Sequence, residues 1–250
     1  MNLQGKVALI TGGRRVGGQL ALMLADRGVD VALTYHTSRE AIERTAETVE
    51  ARGRRALTVQ ADLSRADQAD AAITQVVASL GRIDILVNMA SVYKKTPFDD
   101  LTAADFDAML AANLAAPYHA AIAAARQMRR QPAVDGIKGK IVQVGDWATD
   151  RPYRDYLPYL AAKGGLTTFT LALAKELAPE IAVTMVQPAM IDPPPHLSES
   201  DRTAVLDATP LHRLGTPEDA NRMILFLLEG SDFVTGACYR VDGGRFLGVD

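Results

Sequence analysis

Apolar residues alternate along the chain between short continuous runs and longer stretches with helical spacing. Lys6–Thr11 is a β-branched run ending in glycines, and Val16–Arg27 follows with helical periodicity. The same alternation repeats as strand Val29–Tyr35, helix Arg39–Arg52, strand Ala56–Gln60 and helix Ala66–Leu80. It continues as strand Ile83–Asn88, helix Ala103–Arg130, strand Lys140–Gly145, a helix around Tyr159–Ala178 and strand Ala182–Gln187. Helix Pro217–Leu228 and strand Ala237–Val241 close it. Seven strands separated by helices predict an α/β fold: a Rossmann-type doubly wound seven-stranded parallel sheet flanked by helices, in one domain over residues 1–250. Near-continuous apolar strands such as Ile83-Asp84-Ile85-Leu86-Val87 fit burial on both faces.

The rhythm breaks once, over 188–210, a stretch rich in Pro, Ser and Asp that includes Pro193-Pro194-Pro195. A long irregular segment inside a compact domain reads as a substrate lid or as a plain surface excursion. Thr216-Pro217 reads as a helix cap with proline at the first helical position.

Composition narrows the class. With 48% hydrophobic and 23% charged residues the chain can build a large core. A net charge of −3 without long runs of either sign argues against nucleic acid as a partner. The lone Cys238 excludes an internal disulfide and a cysteine zinc site, and it reads as a small strand residue. His119, His196 and His212 have no partners at metal-ligand spacing, so no metal is expected. The N-terminus lacks a leader pattern, and no stretch is read as approaching the ~20 apolar residues of a membrane span. The expectation is a cytoplasmic protein with no membrane partner.

The first strand ends Thr11-Gly12-Gly13-Arg14-Arg15-Val16-Gly17-Gly18 and opens a helix. Glycines there let backbone approach a pyrophosphate, and the helix N-terminus offers free N–H groups. After the second strand come Tyr35-His36-Thr37-Ser38-Arg39, where NAD users place an acid that would repel a 2′-phosphate. Hydroxyl, imidazole and guanidinium groups bind phosphate instead, which favours NADPH; Thr37-Ser38 could also simply cap the next helix.

Tyr159 and Lys163 share one helical face four residues apart. An ammonium beside a phenol is expected to lower the tyrosine pKa from about 10, which makes a general acid–base pair for moving a proton as a hydride moves.

With these residues the whole chain resembles a short-chain dehydrogenase/reductase. The motifs are the Thr11–Gly17 turn, Asp62-Leu63, Asn88-Met89-Ala90, Asn113, Tyr159-x-x-x-Lys163, Pro188-Ala189 and Val241-Asp242-Gly243-Gly244. The resemblance implies that Gly12, Arg14, Arg15 and Gly17 meet the cofactor phosphates and that Asp62 and Leu63 meet the adenine. It puts Asn88, Ala90 and Ser91 along the adenosine side, Lys163 on the nicotinamide ribose and Pro188 beside the nicotinamide amide. Asn113 would support a proton-relay water, and a homotetramer is the expected assembly.

Three departures sharpen this. The glycine turn is one residue shorter than the family pattern, with Gly17 aligned as its closing glycine. The segment after the fourth strand reads Asn88-Met89-Ala90-Ser91 where Asn-Asn-Ala-Gly is usual. The family's catalytic serine position holds Asp146. A serine hydroxyl donates to the oxygen of a reduced carbonyl, whereas an ionised aspartate only accepts. Asp146 suits a substrate bearing N–H groups and would help keep Tyr159 protonated for delivery to a ring nitrogen.

Within the family this pattern resembles pteridine reductases and dihydromonapterin/dihydrofolate reductases, through Arg14–Gly17, Tyr35–Ser38, Val59–Ser64, Asn88–Tyr93, Asp146 and Tyr156–Tyr159. That likeness implies Tyr93 stacking on a pterin, Arg15 bridging cofactor phosphate and pterin carbonyl, Ser91 beside the pterin, and Tyr156 flanking the catalytic tyrosine. Tyr93 also reads as an ordinary loop aromatic, Asp146 as a cap, and Trp147 as packing or pocket lining. Three functions are in play: an NADPH-dependent reductase of a small pterin-like substrate, a carbonyl reductase of the same fold, and a non-enzymatic NADP(H) sensor. Retention of Tyr159, Lys163 and Asn113 argues against the sensor.

Overall fold

The computed structural model describes residues 1–134, 136–191, 193 and 198–248. Seven parallel strands, β1 Val7–Thr11, β2 Asp30–Tyr35, β3 Ala56–Gln60, β4 Ile85–Asn88, β5 Gly139–Val144, β6 Ile181–Pro188 and β7 Ala237–Val241, lie in the order β3-β2-β1-β4-β5-β6-β7. Aliphatic side chains on both faces of each central strand require a helical layer on each side. α1 Val16–Ala25, α2 Arg39–Glu50 and α8 Pro217–Glu229 cover one face around Ile10, Leu33 and Val186. α3 Ala66–Leu80, α5 Ala116–Arg130 and α6 Leu157–Leu177 cover the other around Leu9, Leu86 and Val183. Each such aliphatic side chain contributes about 1.5–3 kcal/mol on burial.

Strand order reverses between β1 and β4, and a crevice opens beyond the carboxyl ends of that pair. Thr11, in register with Thr34 and Asn88, spans the crevice base: its Oγ1 accepts from the amides of Met89 (3.1 Å) and Ala90 (3.2 Å).

Three expectations change. Ala103–Arg130 is not one uniform α-helix: α4 Ala103–Leu110 joins α5 through a π-helical turn at Ala111–Ala115 that contains Asn113. That run is also long and apolar enough to cross a membrane by length and composition, contrary to the sequence reading. It is instead interrupted by the π turn and packed into the core beside α3 and α6, and it ends in Arg129 and Arg130. Finally, 188–210 is not irregular throughout. β6 runs to Pro188, and α7 Glu199–Asp207 is capped by the Ser198 hydroxyl, which accepts from the Asp201 amide. Residues 192 and 194–197, including most of the triple proline and His196, lie outside the described residues. α8 starts as its sequence implies, with Thr216 and Asp219 capping each other's backbone and Pro217 in the first turn.

Candidate active site

A cavity of about 630 Å³ runs along the ends of β1, β2 and β3. Gly12, Arg14, Arg15 and Gly17 line it from the turn, His36, Thr37 and Ser38 from β2, Asp62 and Leu63 from β3, and Ala90 and Ser91 from β4. The glycines are steric necessities. Gly12 has φ +74°, and a Cβ there would come within 2.7 Å of the Ala90 Cα; one on Gly17 would lie 2.8 Å from the Gly12 carbonyl oxygen. Arg15 precedes α1 without a side-chain capping bond, so the first amides of that helix point their positive end at the cavity.

Ser38 occupies the N-cap position of α2 but makes no side-chain capping bond, so capping does not consume its hydroxyl. The Asp62 carboxylate accepts from the Ser64 hydroxyl (2.7 Å) and amide (3.0 Å), which holds its pKa below the usual range. Asn88 departs from its expected place: it is buried, donates to the Pro117 carbonyl (3.1 Å), and does not line the cavity. It ties β4 to α5 instead.

Asn113 clamps the loop after β4. Its Oδ1 accepts from the Ser91 hydroxyl (2.7 Å) and the Val92 amide (3.2 Å), while Nδ2 donates to the carbonyls of Val92 (3.0 Å) and Met109 (3.2 Å). All its side-chain capacity is spent on protein partners. Any contact of Asn113 with a relay water therefore falls to its backbone.

At the end of β5, Asp146 meets Tyr159 from the first turn of α6. The phenol donates to Asp146 Oδ2 at 2.7 Å, and Oδ1 accepts from the Ala148 amide at 2.8 Å. Capping and chemistry thus use opposite oxygens of one carboxyl group. Burial raises the Asp146 pKa, with that amide, the phenol and Lys163 opposing. Burial also holds the Tyr159 phenol well above its ordinary pKa, reinforced by the Asp146 charge; the adjacent Ser91 hydroxyl pulls the other way. The expected lowering by Lys163 is therefore reversed. Lys163 Nζ lies 5.9 Å from the Tyr159 ring centre and donates to the Val144 carbonyl at 2.8 Å. Burial pushes its own pKa down to about 8, against the pull of Asp146.

Tyr93 is half exposed and stacks on Tyr156 (4.4 Å between ring centres, 14° between planes) and edge-on to Tyr159 at 5.0 Å. Tyr153 packs edge-on to Tyr156 (5.1 Å) and near Trp147 (6.4 Å). Trp147 thus packs against Tyr153 in the loop. Pro188 ends β6 beside Val241, away from the lining of the first cavity. Sequence reasoning did not single out Tyr153 of the aromatic cluster, or Ala108, Ala112 and Pro117 of the cavity wall, because none belongs to a spacing pattern. Among the described residues no cluster of His, Cys, Asp or Glu could hold a metal ion.

The family model for short chain dehydrogenases matches residues 6–204. Cyclohexanol dehydrogenase of Rhodococcus sp. strain TK6 is 38% identical over 265 residues, covering 97% of this chain and 96% of that protein. An uncharacterized oxidoreductase, YohF, of Escherichia coli K12 is 33% identical over 247 residues, with 97% and 96% covered. The crystal structure of a short chain dehydrogenase from Burkholderia cenocepacia J2315 in complex with NADP superposes with a TM-score of 0.89 at 34% identity, covering 98% and 99%.

Proposed function

The chain belongs to the short-chain dehydrogenase family, and from that premise we propose that it is an NADPH-dependent reductase of a C=N bond in a pterin-like ring. The observation that carries this reading is the 2.7 Å bond from Tyr159 to a buried carboxyl group of raised pKa.

The cavity fits NADPH. Gly12 leaves room that a Cβ would fill, and the end of β2 offers His36, Thr37 and Ser38 without a carboxylate. Gly12, Arg14, Arg15 and Gly17 would hold the phosphates, His36, Thr37 and Ser38 the 2′-phosphate, and Asp62 and Leu63 the adenine. Ala90 and Ser91 would follow the adenosine side, Lys163 the nicotinamide ribose and Pro188 the nicotinamide amide. When bound, NADPH supplies the hydride that reduces the ring carbon.

The protein's part is the proton. Asp146, a carboxylate at rest, takes up a proton from solvent, which its raised pKa permits; Tyr159 delivers its phenolic proton to the ring nitrogen and receives that proton in turn, which restores the carboxylate. The phenol-to-carboxylate bond described above is the end state of that relay. Lys163 stays charged below about pH 8 and offsets the carboxylate. Ser91 and Tyr93 border the substrate, Arg15 reaches it from the phosphate side, and the segment over 188–210 would close on it. Apolar residues exposed on α4, α5 and α6 (Phe106, Tyr118 and Leu171) and on α8 (Phe226) offer faces for a homotetramer.

A second reading is ketone reduction, favoured by the likeness to an enzyme named for cyclohexanol. Loss of NADPH absorbance with dihydropterins against a panel of ketones separates the two. Asp146→Ser is expected to lower dihydropterin kcat by about 10²-fold or more, with a flatter pH profile because the carboxyl group is gone. Activity on ketones alone, or dihydropterin turnover untouched by Asp146→Ser, overturns the proposal.

A further inference from the structure

Arg245 follows directly on Asp242-Gly243-Gly244, and its backbone is pinned from two sides. Arg151 donates to the carbonyls of Arg245 (3.3 Å) and Phe246 (2.8 Å), while the Asp242 carboxylate accepts from the amides of Gly244 (3.0 Å) and Phe246 (2.9 Å). The side chain lies over the Trp147 ring, 5.3 Å from its centre. Trp147 neighbours Asp146 in the chain and Tyr153 in space.

The aromatic cluster thus runs unbroken from this guanidinium through Trp147, Tyr153, Tyr156 and Tyr93 to Tyr159. Arg245 also lines a second cavity of about 700 Å³, bounded by Ala189 and Met190 just beyond β6 and by Val205 and Thr209 at the end of the expected lid. Among the described residues no carboxylate pairs with it, whereas its neighbours on that wall are matched: Arg213 with Asp219 and Arg240 with Asp150. A half-buried guanidinium stacked on an indole and left without a counter-ion is a poor structural element, because its desolvation is not offset by a carboxylate. It is a good receptor for a planar or tetrahedral oxyanion.

We propose that Arg245 is a specificity residue that binds an anionic group, carboxylate or phosphate, carried by the substrate at the end remote from the reduced ring. The substrate class is then an N-heterocycle with an acidic tail. This deepens the proposed function and rests on it. The stacked face of Trp147 fixes the fork, and the second cavity gives the tail room.

The test compares 7,8-dihydrofolate, which carries a carboxylate tail, with 7,8-dihydrobiopterin, whose tail is neutral, and a phosphate-tailed dihydropterin as third substrate. Wild type, Arg245→Met and Arg245→Lys are assayed in parallel, with thermal melting of each. Arg245→Met is expected to raise KM for an acidic-tailed substrate about 10- to 100-fold while kcat holds, with the neutral substrate changed less than about 2-fold. Arg245→Lys recovers part of the loss. A carboxylate-only or phosphate-only effect identifies the anion. Equal losses on all substrates, or none, overturn the assignment while dihydropterin turnover by wild type leaves the ring chemistry intact. If wild type reduces only ketones, the ring reading fails by itself, and a keto acid against its neutral ester tests Arg245 by the same split in KM.

Discussion

Lys163→Met removes a charge that the fold holds at a measurable cost. Nζ is almost fully buried, and its pKa falls from 10.5 to about 8. That fall corresponds to roughly 3 kcal/mol of destabilisation while both folded and unfolded chains carry the charge. The sign follows from proton counts. Below pH 8 both states are protonated and the whole cost is present. Between 8 and 10.5 the folded chain gives up the proton that the unfolded chain keeps, so stability rises with pH. At pH 9.5 only about 1 kcal/mol of the cost remains, so wild type gains roughly 2 kcal/mol on Lys163→Met between pH 7 and 9.5. Loss of the Val144 hydrogen bond shifts the variant similarly at both pH values and drops out of that comparison. Removing the lysine also raises the Asp146 pKa further, which adds with the same sign. Urea unfolding of both proteins at equal concentration at the two pH values reads the quantity. A difference between the proteins that does not change with pH would show that Lys163 titrates near 10.5, and the buried-charge account of the site would fail.

Two further outcomes follow from the cofactor cavity. Gly12→Ala forces a Cβ into backbone at a left-handed φ; a loss of about 1–3 kcal/mol in stability and of NADPH quenching of protein fluorescence is expected, and wild-type affinity would refute the close approach to Ala90. Ser38→Asp brings a carboxylate to the uncapped N-cap position of α2; it should lower kcat/KM for NADPH relative to NADH by about 10-fold or more, and an unchanged ratio would place the 2′-phosphate elsewhere.

The sheet was legible because parallel strands buried on both faces carry apolar runs, as Val7–Ile10 of β1, Val31–Leu33 of β2 and Ile85–Val87 of β4 do. The cavity lining was legible for a related reason: Gly12 and Gly17 answer to a backbone approach that excludes any side chain. What escaped depends on partners distant in the chain. Nothing local in Ala111–Ala115 announces a π turn; Asn113 is held there by Ser91 and Val92, about twenty residues earlier. The direction of the Tyr159 shift needs the burial of the whole trio, whereas spacing shows only the lysine. Trp147 and Arg245 are nearly a hundred positions apart, and their stacking leaves no trace in periodicity. The run 103–130 misleads in the opposite sense, because a core helix and a membrane helix can share one composition.

The Asp146 substitution also changes which way the site leans. A family member with serine at this position has one buried cation, the lysine, and reaches neutrality when its tyrosine is ionised. Such a site is set to take a proton from an alcohol as readily as to give one. Here the lysine is balanced by Asp146, so the trio is neutral with Tyr159 protonated, and ionising the phenol would leave a net negative charge in a buried place 2.7 Å from a carboxylate. The neutral resting state therefore holds its proton on the tyrosine. Delivery from it is sustainable only if the Asp146 carboxylate first takes up a solvent proton, which its raised pKa permits, and passes it to the phenol. Charge balance alone thus favours reduction over alcohol oxidation, and it favours a substrate whose product atom is a neutral N–H over one whose product begins as an alkoxide facing that carboxylate.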